Sequence, residues 1–418
     1  MEQNKRYEKL EYLRKKLKTF EKRAMQRYAQ YDVKYFDYDI GFVIPRHIRD
    51  RYRASLGWTT KAVDSLADRL VFREIKDSIY NINDIFRTNN PDILFDSAIL
   101  NALISSCSFI YISKDERDSI RLQVIESLNA TGVIDPITGL LKEGYAVLDR
   151  DKKNKPILEA FFEPYVTTII SKNEDEDENI QEIRHKVPYP LLVPILHRPD
   201  AVRPFGRSRI TKSCEYWQKY AKRTLERADI TAEFYSFPQK YVTGLSNNAE
   251  QLDSWRATIA SMLSFEKDED GDSPKLGQFT TPSMSPFVEQ LRMAASGFAG
   301  ETGLTLDDLG FISDNPSSAE AIKASHETLR VMAEKAQRGF GSGFLNVGYL
   351  SVCLRDELEY RREAFTHLEM KWEPIFRPDA STISLVGDGA IKINQAMPGY
   401  INNEVLRDLT GIRGATNE

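Results

Sequence analysis

Histidine and cysteine are scarce in this sequence: five and three in 418 residues. Cys107, Cys214 and Cys353 lie far apart with no C-x-x-C pair, so reduced thiols in a cytosolic protein are expected rather than a disulfide framework. His47, His185, His197, His326 and His367 show no metal-ligand spacing and are read as structural. No P-loop, H-E-x-x-H or G-x-S-x-G occurs, so no catalytic residues, metal or cofactor are expected. Long hydrophobic runs are missing too. The most apolar stretch, 93–112, contains Asp96, Asn101 and four serines, which argues against a membrane span, and no signal peptide or internal repeat is visible. Nor is there an excess of positive charge. With 57 Lys/Arg against 62 Asp/Glu, the net charge of −5 disfavours wholesale neutralisation of nucleic-acid phosphates. It leaves room for a protein that lets nucleic acid pass without holding it.

What is present is a globular composition, 41% hydrophobic and 28% charged, in a chain long enough for two or more structural units. Residues 1–27 carry ten Lys/Arg against four Glu. Leu10, Leu13, Leu17, Phe20 and Ala24 fall at helical spacing, predicting an amphipathic helix with a basic outer face. That face is either simply solvated or a contact for an acidic partner or nucleic acid. Thr59 or Thr60 is expected to cap a helix buried through Val63, Leu66, Ala67 and Leu70. Residues 99–113 and 121–166 read as a meander of short strands, with the acidic run 174–178 as a solvated hairpin tip. The proline-rich stretch 187–204 reads as an extended connector.

Helical character then returns. Ser208 is placed to cap a helix to about Tyr235, with Ile210, Cys214, Trp217, Ala221, Leu225, Ala228 and Ala232 on one stripe and a length of roughly 40 Å. Residues 239–245 and 275–281 read as strands flanking a helix at 249–263, and Ser285-Pro286 opens a second long helix to about Thr302. The pattern is helix out, small β-α-β knob, helix back. A loop of mixed apolar and acidic residues follows at 302–316. Ser317 and Glu320 have capping-box spacing for a further helix through Ile322, Ser325, Leu329, Met332 and Ala336, stopped by Gly339. Gly339-Phe-Gly-Ser-Gly343 follows a helix rather than a strand, so it reads as a hinge rather than a phosphate cradle. More helix is expected at 343–366, a strand at 371–378, and helices at 379–397 and 402–409. The chain is thus α+β and predominantly helical.

The order of several of these segments resembles that of tailed-bacteriophage portal proteins. They are Ile44-Pro-Arg-His-Ile-Arg49 with Leu56-Gly-Trp58, Val63-Asp-Ser-Leu-Ala-Asp-Arg-Leu70, and Arg203-Pro-Phe-Gly-Arg-Ser-Arg-Ile210 entering the first long helix. After these come the helix–knob–helix arm, Asn315-Pro-Ser-Ser-Ala-Glu-Ala321, Lys371-Trp-Glu-Pro374 and Gly399-Tyr-Ile-Asn-Asn-Glu-Val-Leu-Arg407. The resemblance implies a portal-type fold assembling as a ring, usually dodecameric. It divides into a wing (1–206), stem helices (207–235 and 284–302), a small α/β clip (236–283) and a tunnel loop (303–316). A long helix and return to the wing (317–377) and a short helical crown (378–418) complete it. The crown is shorter than the family pattern, and Gly387-Asp388-Gly389 sits where that pattern has helix.

The resemblance further implies a virion protein at the capsid portal vertex, present in host cytoplasm during assembly. Its partners would be other copies of itself, double-stranded DNA passing through the channel, terminase, the head–tail adaptor, and major capsid and scaffolding proteins. Leu304, Leu306, Asp307, Asp308, Leu309 and Phe311 are the expected DNA-facing residues of the tunnel loop. Lys240, Tyr241, Trp255, Phe265 and Phe279 are the expected docking residues of the clip. Asp307 and Asp308 read as an acidic surface that avoids phosphate capture, with the four apolar neighbours as a steric gate. Two other classes stay open: a head–tail adaptor or scaffold component that never touches DNA, and a metal-dependent nuclease.

Overall fold

A computed structural model describes residues 2–34, 53–172, 178–236, 240–243, 275–278, 280, 283–311, 324–376, 378 and 380–412. In chain order the helices are α1 (Glu2–Tyr31), α2 (Trp58–Ala67), α3 (Ile82–Thr88), α4 (Pro91–Ser105), α5 (Lys212–Ser236), α6 (Ser285–Thr302), α7 (Glu327–Asp356), α8 (Ala380–Ala396) and α9 (Asn403–Thr410). The strands are β1 (Phe72–Lys76), β2 (Cys107–Lys114), β3 (Ile120–Glu126), β4 (Ala130–Ile134), β5 (Leu141–Arg150) and β6 (Pro156–Glu163). They continue with β7 (Val166–Lys172), β8 (Glu178–Arg184), β9 (Leu192–Leu196), β10 (Lys240–Thr243), β11 (Lys275–Gln278) and β12 (Glu369–Trp372).

The body is built in layers. Strands β3-β2-β9 form one antiparallel sheet and β4-β5-β6-β7-β8 a second. Side chains alternate along a strand, so each sheet has two distinct faces. Tyr111 on β2 meets Phe162 on β6 with ring centroids 5.1 Å apart, which seals the two sheets together. On the far face of the first sheet lie α4 and α7, joined to each other through Phe95 and Phe344 at 4.5 Å. On the far face of the second, Leu10, Leu13 and Leu17 of α1 bury against Tyr145, Val147, Phe161 and Ile170. Burial of each leucine contributes about 1.5–3 kcal/mol.

Polar groups fix the register of α1 on that sheet. Glu159 is buried and accepts hydrogen bonds from Arg14 (2.6 Å) and from the Tyr145 hydroxyl, with Lys172 3.5 Å away. Burial alone raises a carboxyl pKa, but these donors and cations outweigh it and hold Glu159 below its ordinary range, so it stays ionised.

The structure corrects several expectations. Residues 99–105 belong to helix α4, not to a strand; β2 starts only at Cys107. The proline-rich stretch holds a buried strand, β9, paired with β2. Pro194 sits opposite Phe109 there, tolerated because β9 is an edge strand. Thr59 and Thr60 do not cap α2. Their hydroxyls donate to the carbonyls of Gln30 and Tyr31 at the end of α1. Gly339 does not stop a helix and the following glycines are no hinge, because α7 runs unbroken through them. A side chain at Gly343 would press on Ile195 of β9 at 2.9 Å, so the missing Cβ lets α7 settle on the sheet. Phe20 of α1 is exposed rather than buried. The capping box at Ser317 and Glu320, the helix at 249–263 and the acidic run up to residue 177 lie outside the described residues.

Other expectations match. Short strands fill 120–172 as expected, β4 to β8 forming the meander while β3 joins the first sheet, and α6 has the expected bounds. The strand expected at 371–378 lies earlier, at Glu369–Trp372, where Trp372 packs on Phe72 of β1 at 5.2 Å. Helix α8 passes through Gly387 and Gly389, and Asn402 caps α9 by accepting from the Val405 N–H.

Candidate functional site: a helical hairpin and the loop that follows it

Helices α5 and α6 pack antiparallel along their length. The close approach depends on Gly297, where a Cβ would collide with the Trp217 indole. The first turn of α2 and the segment before it lock onto the hairpin. Trp58 lies 5.5 Å from Phe298, the Gln218 side chain accepts from the Thr59 N–H at 2.6 Å, and the buried Glu226 accepts from the Ala54 N–H at 3.2 Å. At the far end, β10 and β11 pair antiparallel, with Thr243 opposite Lys275. Lys240 and Tyr241 stand on this ribbon, and the Tyr241 ring covers Gly277. Trp255, Phe265 and Phe279 lie outside the described residues.

At the base of the hairpin sits Arg209, a residue that pattern reading passed over. Its buried guanidinium donates to the carbonyls of Ala62 in α2 (3.0 Å) and Thr302 at the end of α6 (2.6 Å), and reaches the Met332 sulfur in α7 at 3.3 Å. Three helices therefore converge on one side chain. Burial lowers its pKa to about 10, so it remains charged at neutral pH. The C-terminal carbonyls of α6 supply partial negative charge beside it, and the Glu301 carboxylate adds to it. Next to it, His197 is buried, with Nδ1 2.6 Å from the Arg207 carbonyl oxygen. Burial pushes its pKa down to about 3, so it is neutral and structural. Gly206 has φ +76°, and any Cβ would strike the His197 carbonyl. The turn from body to hairpin is thereby specified atom by atom.

The loop after α6 is anchored rather than loose. Gly303 ends the helix in the left-handed conformation, its N–H donating to the Ala299 carbonyl. Leu304 and Leu309 are buried in the main core, and Leu306 and Phe311 pack partly against it. Asp307–Leu309 forms a single 3-10 turn closed by Gly310 at φ +90°. The Asp308 carboxylate accepts from the N–H and hydroxyl of Thr305, each at 2.9 Å, and lies 3.9 Å from His326 Nδ1. Asp307 is exposed. The expected group of six thus divides. Leu304 and Leu309 belong to the core, Leu306, Asp308 and Phe311 are half-buried, and Asp307 is exposed. The two aspartates do not act as a pair. Among the described residues no three His, Cys, Asp or Glu side chains come together as a metal centre requires.

Trp58 and Arg209, far apart in sequence, both pack on the last turns of α6, against Phe298 and the Thr302 carbonyl. The described residues thus form a layered body carrying a two-helix arm with a small β ribbon, followed by an anchored loop in which Asp307 is exposed. No family model matches the chain. It is 26% identical over 400 residues to the portal protein of Mycobacterium phage L5, covering 91% of this chain and 80% of the relative. It is 25% identical, with the same coverage, to the portal protein of Mycobacterium phage D29. The resemblance to tailed-phage portal proteins therefore extends along nine-tenths of the chain. Among solved structures it is similar to the neck of a native GTA particle computed with C12 symmetry, at a TM-score of 0.45 and 14% identity over 89% of this chain and 95% of that one.

Proposed function

We propose that this chain is the subunit of a portal ring at one vertex of a phage capsid, through which DNA is packaged and later ejected. The observation that carries this reading is the arm of α5, β10–β11 and α6 joined to a fixed body, in a chain that resembles portal proteins over almost its full length. In that reading the layered body up to about residue 206 is the wing, α5 and α6 the stem, and 236–283 the clip that docks terminase and then the head–tail adaptor. Helices α8 and α9 are the crown. Their exposed Leu385, Ile391, Ile393 and Leu409 suit coverage by neighbouring copies. Loop 303–316 faces the channel, with major capsid and scaffolding proteins meeting the wing.

Asp307 then has a defined task. A carboxylate repels phosphate, so a ring of them keeps the polymer from binding and stalling, whereas lysines would recruit it. Asp307→Lys is expected to reduce packaged DNA per particle sharply while leaving ring formation intact. Asp307→Asn should reduce it less. Asp308→Asn is expected to act instead by loosening the turn around Thr305. Gel quantification of DNA in particles assembled with each variant checks this; full packaging by Asp307→Lys would refute the role.

A further inference from the structure

The long helix α1 treats its cations in two ways. Those turned toward the body are matched: Arg6 with Glu163 and Glu182, Lys9 with Glu143, Arg14 with Glu159, Lys16 with the Gly132 carbonyl and Arg27 with the Ser105 carbonyl. Lys15, Lys18, Lys22 and Arg23 are exposed and have no ion pair among the described residues. Tyr12, Phe20 and Met25 flank them and are also exposed. Wetted aromatic and Met side chains beside unpaired lysines suit a protein surface better than a phosphate backbone, which offers nothing apolar to cover them.

The sign of charge points to the occupant. Ten of the 57 Lys/Arg and only four of the 62 Asp/Glu lie in the first 27 residues, so the remainder of each copy is distinctly acidic. Among the described residues, a cluster of carboxylates at the end of α2 and the start of α4 has complementary character. Asp68 follows α2, while Asp92 and Asp96 stand one turn apart on α4; none has an ion pair among the described residues. Burial, then the neighbouring charges of Asp92 and Asp68, raise the Asp96 pKa, as expected of carboxylates held near one another without a cation. The exposed Ile93 and Val71 lie beside them in sequence. Association between two different faces of identical chains is heterologous, the kind that generates a ring when its rotation closes.

We propose that the basic outward face of α1 in one copy docks on the Asp68–Asp92–Asp96 face of a second copy. The proposal rests on the ring reading above and adds the contact that sets the order of subunits around it. It is tested by charge reversal with rescue in the full chain. One variant carries Lys15→Glu, Lys18→Glu and Lys22→Glu; the other carries Asp68→Lys and Asp96→Lys. Asp92 is left alone because a carboxylate in the first turn of α4 favours the helix dipole. All five positions are half-buried or exposed at the surface, where substitution has little effect on folding. Thermal unfolding provides the control, and Gln and Asn versions replace any variant that fails it.

Like charges across an interface oppose association strongly, so each variant should lose ring population by at least about tenfold in native mass spectrometry. Combining both sets in one chain should restore it. Two variants that assemble as wild type, or a combination that restores nothing, would overturn the proposal while leaving the ring intact. A wild-type chain that stays monomeric would instead sink the ring itself. Normal assembly of the α1 variant, with loss of binding to a fluorescein-labelled DNA duplex, would also overturn the proposal and make the face a nucleic-acid surface.

Discussion

Replacing Arg209 with methionine is expected to free the hairpin base and the loop that follows it. The substitution keeps length and apolar stem but leaves the carbonyls of Ala62 and Thr302 without their charged donor. Hydrogen bonds to charged groups contribute about 1.5–3 kcal/mol each. Removing a buried guanidinium also removes its desolvation cost, evident in the lowered pKa. The net loss is therefore expected near 2–4 kcal/mol, roughly a 30- to 1000-fold fall in amide protection confined to the joint. Hydrogen exchange should register it at the end of α6 and in 303–311, with the sheets unaffected. Arg209→Lys should fall between, because one ammonium on a flexible stem cannot serve two carbonyls in fixed directions. Unchanged protection in the methionine variant would show that the three helices hold together without this side chain.

The second large effect concerns the tip. Because Thr243 and Lys275 face each other across the β10–β11 pair, residues 244–274 can be replaced by Asn-Gly. Those two residues favour the type I′ turn that closes a two-stranded ribbon. The hairpin and its ribbon then persist while the rest of the tip is gone. Rings are expected to form at wild-type yield, but terminase and head–tail adaptor binding should be lost completely. Co-sedimentation of each partner with purified rings measures this. Retained binding would move the docking surface to the hairpin or the wing.

How far the sequence could be read follows from where burial is one-sided. Helices α1 and α6 each bury one stripe, so their apolar spacing was visible, whereas β5 and β6 are buried on both faces and were marked by β-branched and aromatic residues between turn signals. Helix α4 is different. It is apolar nearly all round, and from Leu94 to Ser105 most of its side chains are buried, so no period marks it and its second half resembles a strand. The Asn90-Pro91 pair at its start was the available clue. Strand β9 is a short apolar run with a central proline, indistinguishable from a connector until β2 lies beside it. The glycines in α7 look like breakers because the sheet and side chains they fit against are distant in sequence.

The candidate site shows the same limit. The hairpin, its tip and the position of the loop were legible from chain order. Which loop residues face out was not: leucines at 304, 306 and 309 show no clear period in a turn this short, and only the fold shows that two of them enter the core. Arg209 had even less signal. It stands in one short motif with Arg203 and Arg207, which pair on the surface with Asp200. Nothing in residue type separates a surface arginine from one at the centre of three helices.

The ring is the claim on which the wing, stem, clip and channel assignments all depend. Negative-stain imaging of the purified chain, with class averages viewed down the symmetry axis, tests it most directly. Closed rings with a stain-filled central channel are the expected result. A uniform population of monomers across concentration and salt would contradict it.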